Sequence, residues 1–157
     1  MELSELNLIL RNKAIEFGLC NDWQTKIWNK VLSYQDLIAI YIRGFDFSVD
    51  NDWIDYEFIK KVFPIEELHK GNIYLDEKVN ITDGGNGYYV FLGNCEAEVS
   101  IDGIKATTIY VRHQSHVNVN ASGGAKVFVT YYDQSKGKCR SDGWSACKKY
   151  DRRKKEG

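Results

Sequence analysis

The stretch Ile109-Tyr110-Val111-Arg112-His113-Gln114-Ser115-His116-Val117-Asn118-Val119 decides the fold. It holds two triplets, Ile109-Tyr110-Val111 and Val117-Asn118-Val119, in which the apolar residues alternate with period 2, the mark of a strand with one face turned inward. Both triplets recur. The pair Ile109/Val111 has counterparts in Ile73/Leu75, Val90/Leu92 and Val127/Val129, at spacings of 17, 19 and 18 residues. The pair Val117/Val119 has counterparts in Val79/Ile81 and Val99/Ile101, at spacings of 20 and 18. Self-similarity at a short, nearly constant period is the signature of a repeat architecture. The expected structure is a coil of short strands, two to each rung of about 18 residues. It stacks Val, Ile and Leu inside and sets an outward column of Tyr74, Phe91, Tyr110 and Phe128.

Glycine-rich turns separate the triplets, at Asp83-Gly84-Gly85-Asn86-Gly87, Asp102-Gly103 and Ser122-Gly123-Gly124. Asp-Gly is also a hairpin signal, so an antiparallel meander or sandwich with packed helices is the alternative. Eighteen residues beyond Val117 and Val119 stand Ser135 and Gly137, within a polar run from Lys136 to Asp142. A polar last rung is what a solenoid needs to end in water, so residues 134–157 are expected to be a degenerate rung and a basic tail.

Before Gly71 the period is that of helices. Leu6 to Phe17 carries apolar residues at three- and four-residue spacing and stops at Gly18. Further helices are predicted over Trp23 to Leu32 (capped by Asn21 or Asp22), Leu37 to Ile42 (after Ser33, before Gly44) and Trp53 to Phe63 (after Asn51 or Asp52). A last turn runs from Pro64 to Leu68. The fold class is therefore α+β: a cap of short helices over residues 1–70, placed over the Ile73 to Ile81 end, and a short β-solenoid over residues 71–133.

Two further segments complete a resemblance. Leu68-His69-Lys70-Gly71-Asn72-Ile73-Tyr74-Leu75-Asp76 and Ser122-Gly123-Gly124-Ala125-Lys126-Val127-Phe128-Val129 join Val111-Arg112-His113-Gln114-Ser115. Together they resemble a group of uncharacterised small proteins from phages and mobile elements of gut bacteria. The front half follows in outline, through Ala14-Ile15-Glu16-Phe17-Gly18-Leu19-Cys20 and Phe58-Ile59-Lys60, so the resemblance covers about residues 10 to 132. It implies a helical part followed by β repeats and a mobile-element origin. Members of that group often continue with further rungs where this chain turns to Cys139, Trp144 and a basic tail.

Composition excludes several classes. Of 157 residues, 43% are hydrophobic and 27% charged, which suits a packed domain rather than a disordered chain. The longest strongly apolar run, Leu37 to Ile42, is too short to span a bilayer. Met1-Glu2-Leu3-Ser4-Glu5 has neither the basic nor the apolar region of a signal peptide, so the host cytoplasm is expected, with a virion as the alternative. Cys20, Cys95, Cys139 and Cys147 are accordingly expected to be reduced thiols, and they match no disulfide framework. Asn80-Ile81-Thr82 and Asn120-Ala121-Ser122 fit the glycosylation sequon by chance in that setting.

Charge is polarised: residues 134–157 carry net +6 and the first 133 carry −7. The tail residues Lys148, Lys149, Arg152, Arg153, Lys154 and Lys155, with Tyr150, could grip phosphate, or could be a solvated terminus. The carboxylates Asp46, Asp50, Asp52, Asp55, Glu57, Glu66 and Glu67 fall mostly at helix starts, where the helix dipole favours them.

Catalytic patterns are sparse. His113 and His116, with Asp133 one rung on, are a candidate metal or general-base group. On a flat strand, however, the two histidines point to opposite faces and read as exposed turn residues. Cys139 and Cys147, with seven residues between them, lack the close spacing of a zinc knuckle or redox pair, even with Cys95 and His113 added from stacked rungs. Gly84-Gly85-Asn86-Gly87 lacks the Lys-Ser/Thr of a phosphate loop, and no Gly-x-Ser-x-Gly elbow or acyltransferase hexapeptide pattern occurs. The expectation is a non-enzymatic phage or mobile-element accessory protein, without cofactor or metal. It would bind a protein or self-assemble through Tyr74, Phe91, Tyr110 and Phe128. Nucleic-acid binding through the tail is the alternative, and a metal-dependent enzyme around His113 and His116 the third.

Overall fold

Short helices of mixed polarity hold only by burying one face against each other, and the first unit of the chain does this. The computed structural model describes residues 1–18, 28, 30–51, 53–82 and 87–152, and divides the chain into two compact units, Met1–Gly71 and Asn72–Gly157. Helix α1 (Leu3–Glu16) buries Leu6, Leu10 and Ala14 together with Asn7. The Asn7 amide nitrogen donates to the carbonyls of Leu3 and Leu32, each at 2.9 Å. Its oxygen accepts from Trp28 Nε1 at 3.0 Å and from the Leu32 amide at 2.8 Å. Every hydrogen-bonding position of the buried amide is used.

That network corrects the helix expected over Trp23 to Leu32. Trp28, Lys30, Val31 and Leu32 are not helical, because Asn7 takes both backbone groups of Leu32 that a helix would employ; Trp23 to Ile27 lie outside the described residues. Helix α2 (Tyr34–Arg43) starts at a reciprocal cap, in which Ser33 Oγ accepts from the Asp36 amide at 3.1 Å and Asp36 accepts from the Ser33 amide at 3.3 Å. It ends at Gly44 as anticipated. Helix α3 (Phe45–Asn51) was not anticipated. Helix α4 (Tyr56–Val62) begins three residues later than the expected Trp53, since Asp55, not Asn51, is its cap, accepting from the Phe58 amide at 2.8 Å. Helix α5 (Ile65–Lys70) follows Pro64 and is tied to α2 by Gln35 Nε2, which donates to Glu67 O at 2.8 Å.

The second unit is a parallel β-solenoid. Strands β1 (Ile73–Leu75), β3 (Gly87–Leu92), β5 (Ala106–Val111), β7 (Lys126–Tyr132) and β9 (Ala146–Arg152) form one sheet. Strands β2 (Lys78–Thr82), β4 (Glu96–Asp102), β6 (His116–Ser122) and β8 (Cys139–Ser141) form the other. Every neighbouring pair is parallel, so the antiparallel meander does not occur. There are about four turns of roughly 20 residues.

The 20-residue step corrects both the 18-residue rung and the outward aromatic column. Val90 pairs with Tyr110, and Phe91 with Val111; a slip of one residue exchanges the two faces of a strand. Phe91 therefore points inward, fully buried, in a core with Tyr89, Ile109, Val111, Val129 and Tyr131, and Tyr74 stacks on it at 5.4 Å. Val90 and Leu92 point outward. All four residues from Tyr89 to Leu92 are buried, and a strand apolar on both faces carries no phase in its own sequence. The second ladder keeps its face but moves by two residues: Val79 pairs with Ala97, and Val99 with Val119.

The repeat also continues past residue 133. In the fourth rung Cys139 lies beside Val119 and Cys147 beside Val127. These two cysteines form a disulfide across the rung, which corrects the expectation of reduced thiols.

Candidate functional site

Two kinds of corner join the sheets, and from His113 and Asp102 onward both are built from polar residues 20 apart. At the first, Asp76, His113 and Asp133 adopt left-handed backbone (φ 54°, 58° and 57°), as does Gly93 (φ 74°). Asp tolerates this conformation because its short side chain bonds locally. Here the side chains bond between rungs. His113 Nδ1 accepts from the Gly93 amide at 2.9 Å, and Asp133 accepts from the His113 amide at 3.0 Å. Behind them runs a buried column of Cys95, Ser115 and Ser135. Ser115 Oγ accepts from the Cys95 amide at 3.0 Å and donates to Gly93 O at 3.1 Å, while Ser135 Oγ donates to Val111 O at 3.0 Å. At the other corner stand Asp102-Gly103, Ser122-Gly123 and Asp142-Gly143, where Ser122 Oγ donates to Asp102 at 3.1 Å and Asp142 accepts from the Gly123 amide at 3.2 Å. The Asp-Gly signal thus marks a solenoid corner rather than a hairpin.

The candidate group His113, His116 and Asp133 is not assembled. Asp133 also accepts from Arg112 Nε at 3.1 Å. Burial alone would raise its carboxyl, but the His113 amide and the Arg112 charge and hydrogen bond outweigh it and hold the carboxyl below its ordinary value. His116 is exposed at the start of strand β6, in register with Glu96. Among the described residues no cluster of three or more His, Cys, Asp or Glu is placed to hold a metal ion. Cys95 is a free, buried thiol that donates to Leu92 O at 3.3 Å, and burial pushes its pKa up. No described helix is long and apolar enough to cross a membrane.

The expected binding residues divide between two faces. Phe91 is fully buried in the interior and Tyr74 is half-buried against it, so the two face inward rather than outward. Tyr110 and Phe128 do face outward, on the five-stranded sheet, and each gains a partner the sequence reading missed: Tyr110 meets Tyr132 at 6.4 Å, and Phe128 meets Tyr150 at 6.5 Å. A 20-residue step finds them, since Phe128 pairs with Lys148 and Thr130 with Tyr150. The matching corners Arg112-His113-Gln114-Ser115 and Tyr132-Asp133-Gln134-Ser135 print that step in the sequence.

The basic residues prove to be strand residues, not a free tail, as far as Arg152; Arg153, Lys154 and Lys155 lie outside the described residues. Alternation sends Lys148, Tyr150 and Arg152 outward and Lys149 inward. Lys149 takes the place below Val129, where its ammonium sits 5.1 Å from the centre of the Tyr131 ring and donates to Gly137 O at 3.1 Å. Its stem covers the last aromatic of the core while its charge reaches polar surroundings. Lys149 is thus a lid on the interior. The outward set is different. Phe128 is half-buried and Tyr150 exposed, with exposed Lys126, Lys148 and Arg152 around them. The outward positions of β5, β7 and β9 hold no carboxylate among the described residues, because Asp151 alternates inward. This is a flat aromatic surface of one charge sign.

Comparison with known proteins assigns no relative: no family model matches the chain, nor does any curated protein or solved structure.

Proposed function

We propose that this protein is a non-enzymatic binding module, a phage or mobile-element accessory protein that docks a macromolecular partner on the outward face of β7 and β9. The observation that carries this reading is the interleaving of Phe128 and Tyr150 with Lys126, Lys148 and Arg152, with no carboxylate on the described part of that face. Aromatic side chains and arginine are the usual anchors of a contact surface. A binding role rather than a catalytic one is supported by the corners, where His113 and Asp133 are engaged with backbone amides of neighbouring rungs.

Self-assembly by end-on stacking is disfavoured on this reading. The last rung presents Lys136, Lys138, Arg140, Lys148, Lys149 and Arg152, and lysine-rich edges discourage strand addition. The Cys139–Cys147 bond favours oxidising surroundings over the cytoplasm expected from the sequence.

The test is capture from native lysate with wild-type protein and the double variant Phe128→Ala/Lys148→Glu in parallel. A species retained by wild type and lost by the variant supports the face. Equal retention by both would place the contact elsewhere.

A further inference from the structure

We infer that the ligand of the β7/β9 face is single-stranded nucleic acid, an assignment that rests on the binding-module reading above.

The argument begins with what the two rings offer. Phe128 and Tyr150 stand on adjacent strands with centroids 6.5 Å apart and planes only 25° from parallel. They form a stacked pair, which Tyr150 ends on the last strand of the sheet. Tyr150 is 47% exposed, on the edge strand of the sheet. Any base can stack on such a ring, so the surface is tolerant of sequence.

A base that adds to this stack on Tyr150 must leave its own pair and stack, which a single strand allows and a paired duplex forbids. The surface is also flat, being the outer side of a parallel sheet, so it offers no helix or ribbon to enter a groove.

Charge completes the case. Lys148 continues the column of Phe128, and Arg152 lies two residues beyond Tyr150 on the same face of β9. Lys126 lies two residues before Phe128. Ammonium and guanidinium groups thus flank both rings, where the phosphates of a strand stacked on them would run. An acidic peptide would meet the cations but leave the rings without matching partners, so nucleic acid fits the whole surface better.

Binding of a fluorescent oligothymidylate and oligouridylate to the full-length, oxidised protein tests this by anisotropy, beside a duplex and heparin. The single strands are expected to bind more tightly than duplex or heparin. Phe128→Ala and Tyr150→Ala are each expected to weaken them about 10-fold, while Lys148→Ala lowers the salt slope by about 1. Circular dichroism confirms that each variant is folded. Equal binding of all four probes, unchanged by Phe128→Ala, would overturn the inference and leave a plain polyanion surface. No binding to any probe, with lysate capture still dependent on Phe128 and Lys148, would overturn the inference but keep the binding face. Loss of both would remove the two readings together.

Discussion

Cys139 and Cys147 are joined across the last rung, with 5.7 Å between their Cα atoms, at the inward positions that continue the Val119 and Val127 columns. The terminal rung has no rung beyond it to bury its inner side, and the bond holds β8 against β9 there. Reduction, or Cys139→Ser, is expected to destabilise the β unit by about 2–3 kcal/mol, the loop-closure value for so short a loop. Thermal melts with and without reductant check this. An unchanged midpoint would mean that the rung holds without the bond.

Thr107 carries the one buried side-chain polar atom among the described residues that has no hydrogen-bond partner. It faces inward, paired with Val127. Replacing the hydroxyl by a methyl of the same shape removes an uncompensated desolvation. Thr107→Val is therefore expected to stabilise by about 1 kcal/mol, read as a higher urea midpoint at constant slope.

Tyr131 donates its hydroxyl to Val117 O at 2.6 Å, and burial pushes its pKa up to about 12 from 10.0. A folded value above the unfolded one means that the contribution is fully present below pH 10.0 and is lost as pH rises toward about 12. Tyr131→Phe is expected to cost about 1 kcal/mol at neutral pH and to flatten the alkaline limb of the stability curve. Denaturant melts across that limb compare the two.

Asp133 gives the opposite limb. Its folded carboxyl lies below the ordinary 3.8, so its contribution is present above that pH and is lost as pH falls through the folded value. Asp133→Ala removes acceptors for the His113 amide and Arg112 and is expected to cost roughly 1–3 kcal/mol. Asp133→Asn keeps an acceptor and the left-handed backbone, so it should cost less while weakening the acid dependence. Urea melts from neutral to acid pH measure both.

Gly137 stands where a Cβ would strike the Val117 carbonyl and the Tyr131 hydroxyl. Gly137→Ala is expected to destabilise by about 1–3 kcal/mol through overpacking. A melt of that variant beside Gly143→Ala, at a corner where a Cβ meets nothing within 4 Å, separates crowding from the loss of glycine.

Much of this architecture is legible in the residues themselves. The triplets Ile109-Tyr110-Val111 and Val117-Asn118-Val119 announce parallel rungs, and Ser33 with Asp36 announces α2. The phase is harder to read. Tyr89, Val90, Phe91 and Leu92 are all buried, so either alternation fits, and the short first step of 17 residues from Ile73 to Val90 drew the average below 20. The corner strings containing His113 and Asp133 hold the true period, but they look like catalytic residues until their amide partners are seen. The pairing of Cys139 with Cys147 depends on that same period. So does the face holding Phe128 and Tyr150, because one residue of slip sends each to the wrong side.

The shared 20-residue step of both corners makes the rung an interchangeable part. Removing residues 106–125 would join Lys105 to Lys126, bring β3 beside β7 and β4 beside β8, and leave every column closed on a residue of the same facing. Inserting such a block would lengthen the stack without redesigning its ends. A residue added or removed within a paired strand, by contrast, would turn the rest of that strand inside out. The molecule can therefore grow or shrink by whole rungs, and its length is a heritable integer rather than a continuously adjustable dimension.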